Sequence, residues 1–290
     1  MVEITDGLLR KLLKNQKEEI TNFHIYQSLA LKEKDAANAK LLQTIAADEK
    51  KHYALLKKYT KIEVHPSKIK VLWYLLLAKT LGLTFSLKLL EKGEGEAAIA
   101  YNGLSVDFPE LKQALEDEEK HEQELLGLIN EERLNYMGSI VLGLNDALVE
   151  LTGALAGYTF AIQNSRIIAL IGLITGISAS FSMAASEFLS KKQEKEENAL
   201  KSSIYTGIAY IITVSLLILP FLLLSNHFLN LGLSVLMAIL IILGFNFYIS
   251  VAKDLPFKKR FLEMAGISLG VTAISFGIGW AVRTFLGLEI

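Results

Sequence analysis

Between Met137 and Ile162 lies an apolar segment long enough to cross a bilayer, and it carries two carboxylates, Asp146 and Glu150. A spanning helix needs about 20 apolar residues at about 1.5 Å each. Four residues apart, the two acids share one helical face. Each charge at the bilayer centre costs at least about 2.5–3.5 kcal/mol. A plain anchor has no use for such a pair, so the segment reads as part of a cation path.

The chain on either side of this segment has two compositions. Up to about Arg133 it is dense in Lys and Glu and helical in pattern; beyond Tyr136 charges nearly vanish, and none occurs between Ser202 and Ala252. The expected organisation is a helical domain over 1–133 followed by a membrane domain over 134–290. A net charge of −1 without a basic, aromatic-laced patch argues against nucleic acid as a partner. The absence of cysteine excludes disulfides and thiolate metal sites. The first residues, Met-Val-Glu-Ile-Thr-Asp-Gly, lack the basic-then-apolar layout of a signal peptide, so the leading domain is expected in the cytosol.

In the first domain, helical periodicity predicts helices over Asp6–Leu31, Ala37–Tyr59, Lys79–Leu104 and Pro109–Glu132. The turn Ser105-Val-Asp-Phe-Pro109 carries an N-cap candidate, Asp107. The link Ile62–Ala78 reads as a bundle crossover, with Trp73 and Tyr74 set at a subunit or membrane surface. Four helices with a long second connection give a ferritin-like bundle.

The second and fourth helices repeat a motif, Glu49-Lys-Lys-His52 and Glu118-Glu-Lys-His121. Glu and His three apart project from one face. Taken alone such a match is more often a charged, solvated surface. Helix one adds Glu19 with Tyr26, and helix three adds Glu94 with Tyr101, each pair two turns apart. Glu19 and Glu49 are equidistant from the first junction, and Glu94 and Glu118 from the turn at Val106, so each pair lies level in its hairpin. Glu19, Glu49, His52, Glu94, Glu118 and His121 together form a carboxylate di-metal constellation. Oxygen-rich ligands with imidazole suit iron or manganese.

On these residues the first domain resembles the rubrerythrin branch of the ferritin-like superfamily. The resemblance implies a di-iron centre that reacts with dioxygen or peroxide, with Tyr26 and Tyr101 hydrogen-bonding the carboxylates. Rubrerythrins often carry a further carboxylate three residues after the helix-three ligand; here that position is Ala97, with Glu91 and Glu96 nearby.

In the second domain five apolar runs, about 137–162, 167–189, 202–225, 228–251 and 261–287, read as spans. The loops Lys191–Lys201 and Lys253–Arg260 are basic, whereas the opposite side shows only Arg166 and Arg283. The positive-inside rule places the basic loops and the first domain in the cytosol and the C-terminus outside. Span two ends in Ser182-Met-Ala-Ala-Ser-Glu-Phe-Leu-Ser190, where Met183 and Glu187 share a face. Alone, Glu187 reads equally as an interfacial residue and Met183 as packing. Gly153-x-x-x-Gly157, Gly172-x-x-x-Gly176 and Gly266-x-x-x-Gly270 allow close helix contact.

The segments around Asp146–Gly157 and Ser182–Ser190 resemble the vacuolar iron transporter family. Its members carry Fe²⁺, and often Mn²⁺, out of the cytosol as dimers in exchange for protons. The resemblance implies that Asp146, Glu150, Met183 and Glu187 line the pathway. It departs at Ala147, where the family usually has glycine. The expected whole is an all-α, multi-pass protein of the cell membrane, a cytosolic ferritin-like bundle followed by five transmembrane helices. Its expected partners are metal cations, protons, the lipid bilayer and a second copy. It is expected to transport iron, with ferroxidase chemistry in the bundle left open and no catalytic residue assigned. The alternative is a membrane-anchored di-iron oxidase or peroxidase whose spans serve only as an anchor.

Overall fold

A computed structural model describes residues 5–93, 114, 116, 117, 120, 121 and 135–286. All regular structure among the described residues is helical, and the chain divides into two compact units, Met1–Glu131 and Glu132–Ile290.

The first unit begins with α1, Asp6–Ala30, whose N-cap Thr5 accepts from the Leu8 amide. Leu31 and the short junction after it reverse the chain into α2, Ala36–Thr60, where the Asp35 carboxylate accepts from the amides of Ala37 and Asn38. These side-chain acceptors satisfy amides that the first helical turn leaves open. The two helices pack through Ile25, Tyr26 and Leu29 of α1 and Leu42, Ile45 and Ala46 of α2. A second, smaller apolar cluster forms where Leu12 meets Leu56. Along α1, the stretch between these two clusters buries Asn15, Gln16, Glu19 and Asn22. Along α2 it buries Glu49 and His52. The apolar stripe is thus interrupted by a polar layer at one level of the helix pair.

The crossover differs from expectation. The sequence suggests a link over 62–78; in the structure Ser67 caps a further helix, α3, Lys68–Leu81. Gly82 then breaks the backbone at φ 104°, a conformation that side-chain-bearing residues rarely adopt, and α4 runs over 83–93. The start expected at Lys79 therefore moves to 83. The link itself is tied down by hydrogen bonds: Gln16 Nε2 donates to the Ile62 carbonyl at 2.8 Å and the Ser67 amide to Thr21 Oγ1 at 3.0 Å. Ser86 Oγ on α4 donates to the Tyr74 carbonyl of α3 at 2.9 Å. Leu87 and Leu90 of α4 complete the larger core. Ala114, Glu116, Asp117, Lys120 and His121 are helical. The expected turn at Ser105–Pro109 lies outside the described residues, as do Glu94, Tyr101 and Glu118.

The second unit consists of α5, Met137–Ile162; α6, Ser165–Gln193; α7, Ala199–Leu223; α8, His227–Ala252; and α9, Phe257–Leu286. All five are long and apolar enough to cross a membrane. The second extends to Gln193, so much of the expected basic loop is helix and only five residues separate it from α7. Asn164 and Asn226 cap α6 and α8. At that end of the helices, buried Asn230 donates to Ser165 Oγ and to the Leu224 carbonyl, both at 3.0 Å, which satisfies loop groups that lipid could not.

Helix α5 is the hub, packed on α9, α7 and α6. Its core side chains Ala147, Leu148, Leu151 and Leu155 meet Ile168 of α6 and Tyr210, Val214, Leu217 and Ile218 of α7. Small residues set the spacing. The hydrogen of Gly143 faces the Thr206 carbonyl of α7, Gly157 faces Gly279 of α9, and Gly176 faces Val214. Two of the glycine pairs read from the sequence therefore face a neighbouring helix, whereas Gly266 and Gly270 face open space. Outward-facing residues such as Ile174, Phe181, Leu223 and Leu240 are well exposed, as a lipid-facing surface requires.

Candidate functional site

Glu19, Glu49 and His52 come together in the polar layer of the first unit, with one potential ligand atom from each lying within 4.8 Å of the others. All three are buried, and Glu49 is only 1% exposed. Among the described residues this is the one group of three such side chains at metal-binding distances. His52 Nδ1 approaches Glu19 Oε2 at 3.5 Å. Two carboxylates desolvated side by side repel, and a shared cation relieves both the burial and the repulsion. The residues present thus fit a metal ion, and their oxygen-and-imidazole chemistry suits iron or manganese.

The histidines are held by a reciprocal arrangement. His52 Nε2 lies 3.2 Å from Asp117 Oδ2, and His121 Nε2 lies 3.2 Å from Asp48 Oδ2. Each aspartate immediately precedes a motif glutamate, Glu49 or Glu118, and reaches the histidine of the other motif. With Nε2 so engaged, His52 Nδ1 is the nitrogen turned toward Glu19, and His121 Nδ1 is buried with no hydrogen-bond partner among the described residues. Such carboxylate–imidazole pairs fix the ring and its tautomer. Burial tends to raise the Asp48 carboxyl, but hydrogen bonds from Lys51 and His121 outweigh this and hold it below the ordinary aspartate value. Fully buried Tyr26 donates its hydroxyl to Glu91 Oε1 at 2.5 Å. Glu91 precedes Glu94, which lies outside the described residues, by three positions in the sequence.

In the second unit, Asp146 is half-buried and Glu150 exposed, both near the middle of α5. Glu150 Oε2 accepts from the hydroxyl of Tyr210 on α7 at 2.8 Å, and that tyrosine is fully buried. Glu187, 7% exposed, accepts from Ser139 Oγ in the first turn of α5 at 2.7 Å. It lines a cavity of about 670 Å³ together with Ser139, Ser190, Lys191, Glu194 and Glu197. Glu187 of α6 meets α5 at Ser139, seven residues before Asp146, so that contact point, Asp146 and Glu150 follow one another along α5 at rises of about 10 and 6 Å. Met183 is half-buried and packs against the apolar core of the unit. Asp146, Glu150 and Glu187 are not gathered at one metal-binding distance.

Sequence reasoning passed over Asp48 and Asp117, although the repeat is visible at full length as Asp-Glu-x-x-His in both segments. It passed over Tyr210 because a single hydroxyl in an uncharged span gives no pattern. Ser139 was invisible for the same reason.

A comparison with curated proteins finds no match. A comparison with family models matches the VIT family over residues 137–198, the stretch of α5 and α6 that carries Asp146, Glu150, Met183 and Glu187.

Proposed function

We propose that this protein exports a transition-metal cation, Fe²⁺ with Mn²⁺ as the second candidate, from the cytosol in exchange for protons. The observation that carries the reading is the series of carboxylates that α5 and α6 set out along the unit: Glu187 of α6 at the cavity and bonded to Ser139 of α5, Asp146 of α5 about two turns further on, and Glu150 hydrogen-bonded to Tyr210 at mid-span. The VIT family match over the same residues supports metal-ion transport across a membrane. Carboxylates that exchange a metal for protons are the group type such a cycle needs, and the Met183 thioether adds a soft donor that favours a transition metal over Mg²⁺ or Ca²⁺. The exposed Glu150 at mid-span calls for a second copy or a water-filled path beside α5, which supports a homodimer. The loop charges support a cytosolic first unit and an external C-terminus.

The first unit would capture the iron, with Glu19, Glu49, His52 and His121 holding the metal and Glu94 and Glu118 completing the ligand set. Bound iron would supply redox chemistry there. The protein's own residues orient and exclude: Asp117 and Asp48 hold the imidazoles, and the flanking apolar clusters keep bulk water out.

Metal uptake into inverted vesicles tests the transport reading. It should depend on a pH gradient and collapse in Asp146→Ala; unaltered uptake in that variant would remove the assignment. A second reading, a membrane-anchored di-iron oxidase, is favoured by the buried Glu19–Glu49–His52 group. It predicts dioxygen-dependent Fe²⁺ oxidation that is lost in His52→Ala, with no metal flux by the intact chain. Oxidation lost while flux survives would show that the two activities are separable.

A further inference from the structure

Helix α3 is apolar on two opposite faces. Val71, Tyr74, Leu75 and Ala78 pack into the larger core of the first unit. On the other side Ile69 is 84% exposed, Leu72 69%, Trp73 53% and Leu76 48%. At about 100° per residue these four fall within about 60° of Ile69, a continuous stripe along the outer face. A helix that is hydrophobic all round is normally covered on every side.

The charges of this helix say what the cover is. Lys68–Leu81 contains three lysines and no acid. Lys68 and Lys79 fall about 80–100° to one side of the stripe and Lys70 about 100° to the other, so cations rim both edges. A Leu/Ile/Trp face bordered by lysines is the pattern of a helix lying in the plane of a bilayer surface. Aliphatic stems of such lysines cover apolar surface while the ammonium groups reach phosphates. With 14 residues α3 is too short to cross a membrane, and its inner face fixes it to the core. The five spans of the same chain hold it in a bilayer, so lipid is at high local concentration.

We infer that α3 is a peripheral membrane helix, seating Ile69, Leu72, Trp73 and Leu76 in the headgroup region of an anionic bilayer with Lys68, Lys70 and Lys79 on lipid phosphates. This goes beyond the transport reading and stands whether or not metal is moved.

The test uses the full chain carrying Trp280→Phe, which leaves Trp73 as the single indole of the two in the sequence. The protein is placed in nanodiscs of phosphatidylcholine with or without phosphatidylglycerol, and Trp73 emission is read against lipids brominated near the headgroup and against aqueous acrylamide. Bromolipid quenching of at least about two-fold is expected in the anionic discs, with acrylamide access reduced relative to detergent. Reversing charge with Lys68→Glu, Lys70→Glu and Lys79→Glu, or raising salt, should diminish the bromolipid quenching, while far-UV dichroism shows the helices retained. Emission quenched by acrylamide alone in every lipid would mean a solvent-facing stripe and overturn the inference. Protection from both quenchers would mean that a second copy covers α3, and would overturn it equally.

Discussion

Tyr210 shows how one residue can set a site that its own helix does not carry. Its ring belongs to the apolar core of the membrane unit, and its hydroxyl donates to Glu150 from within it. A hydrogen bond to a charged group contributes about 1.5–3 kcal/mol, so Tyr210→Phe should lower flux roughly ten-fold or more without loss of folded protein. Normal flux with normal yield would show that Glu150 is placed by other means. In the first unit Asp117 plays the corresponding part toward His52. Removing such a carboxylate typically weakens metal binding about 10–100-fold, and Asp117→Ala should do so in an Fe²⁺ or Mn²⁺ titration of the full chain. An unchanged titration would mean that the His52 ring is oriented without it.

At the scale of the helix, α5 is constrained by backbone approach as much as by its acids. Gly143 sits three residues before Asp146 and meets the Thr206 carbonyl so closely that an added methyl group has no room. Overpacking of this kind costs about 1–3 kcal/mol, because the neighbour is backbone and not a flexible side chain. Gly143→Ala should therefore lower the melting temperature and the folded yield in detergent. Gly266→Ala, where no neighbour lies within 4 Å, should leave both unchanged. Equal effects at the two positions would show that small residues on these helices act through backbone flexibility and not through packing. Gly82 acts differently, since its φ of 104° lets α3 end and α4 turn back onto the core.

The whole molecule pairs a buried Glu–Glu–His group that could hold a metal in one unit with the carboxylates Asp146, Glu150 and Glu187 in the other. Proteoliposomes containing the full chain or residues 132–290 alone distinguish the ways the two can work together. If the first unit only gathers metal, the shortened chain should retain flux at high external Fe²⁺ and lose it selectively at low Fe²⁺. A complete loss at all concentrations would make the first unit part of the transport step itself.

The sequence determined a good deal of this protein, because periodicity and burial cost are local properties. The five spans could be read from apolar length alone, and α1 and α2 from their 3.6-residue stripe. Asp146 and Glu150 stood out because a carboxylate is expensive in lipid wherever the helix turns it. Glu19, Glu49 and His52 could be brought to one level because hairpin register follows from counting residues. What required the tertiary structure was every contact between side chains far apart in the chain: Asp117 on His52, Asp48 on His121, Ser139 on Glu187 and Tyr210 on Glu150. The crossover helix also belongs here. A run such as Lys68–Leu81 is equally a link, a core helix or a surface helix by composition. Only the packing of Val71, Tyr74 and Leu75 on the core leaves Ile69, Leu72 and Trp73 turned outward. Hydrogen bonds and exposure depend on which surfaces meet, and that is decided when the helices assemble.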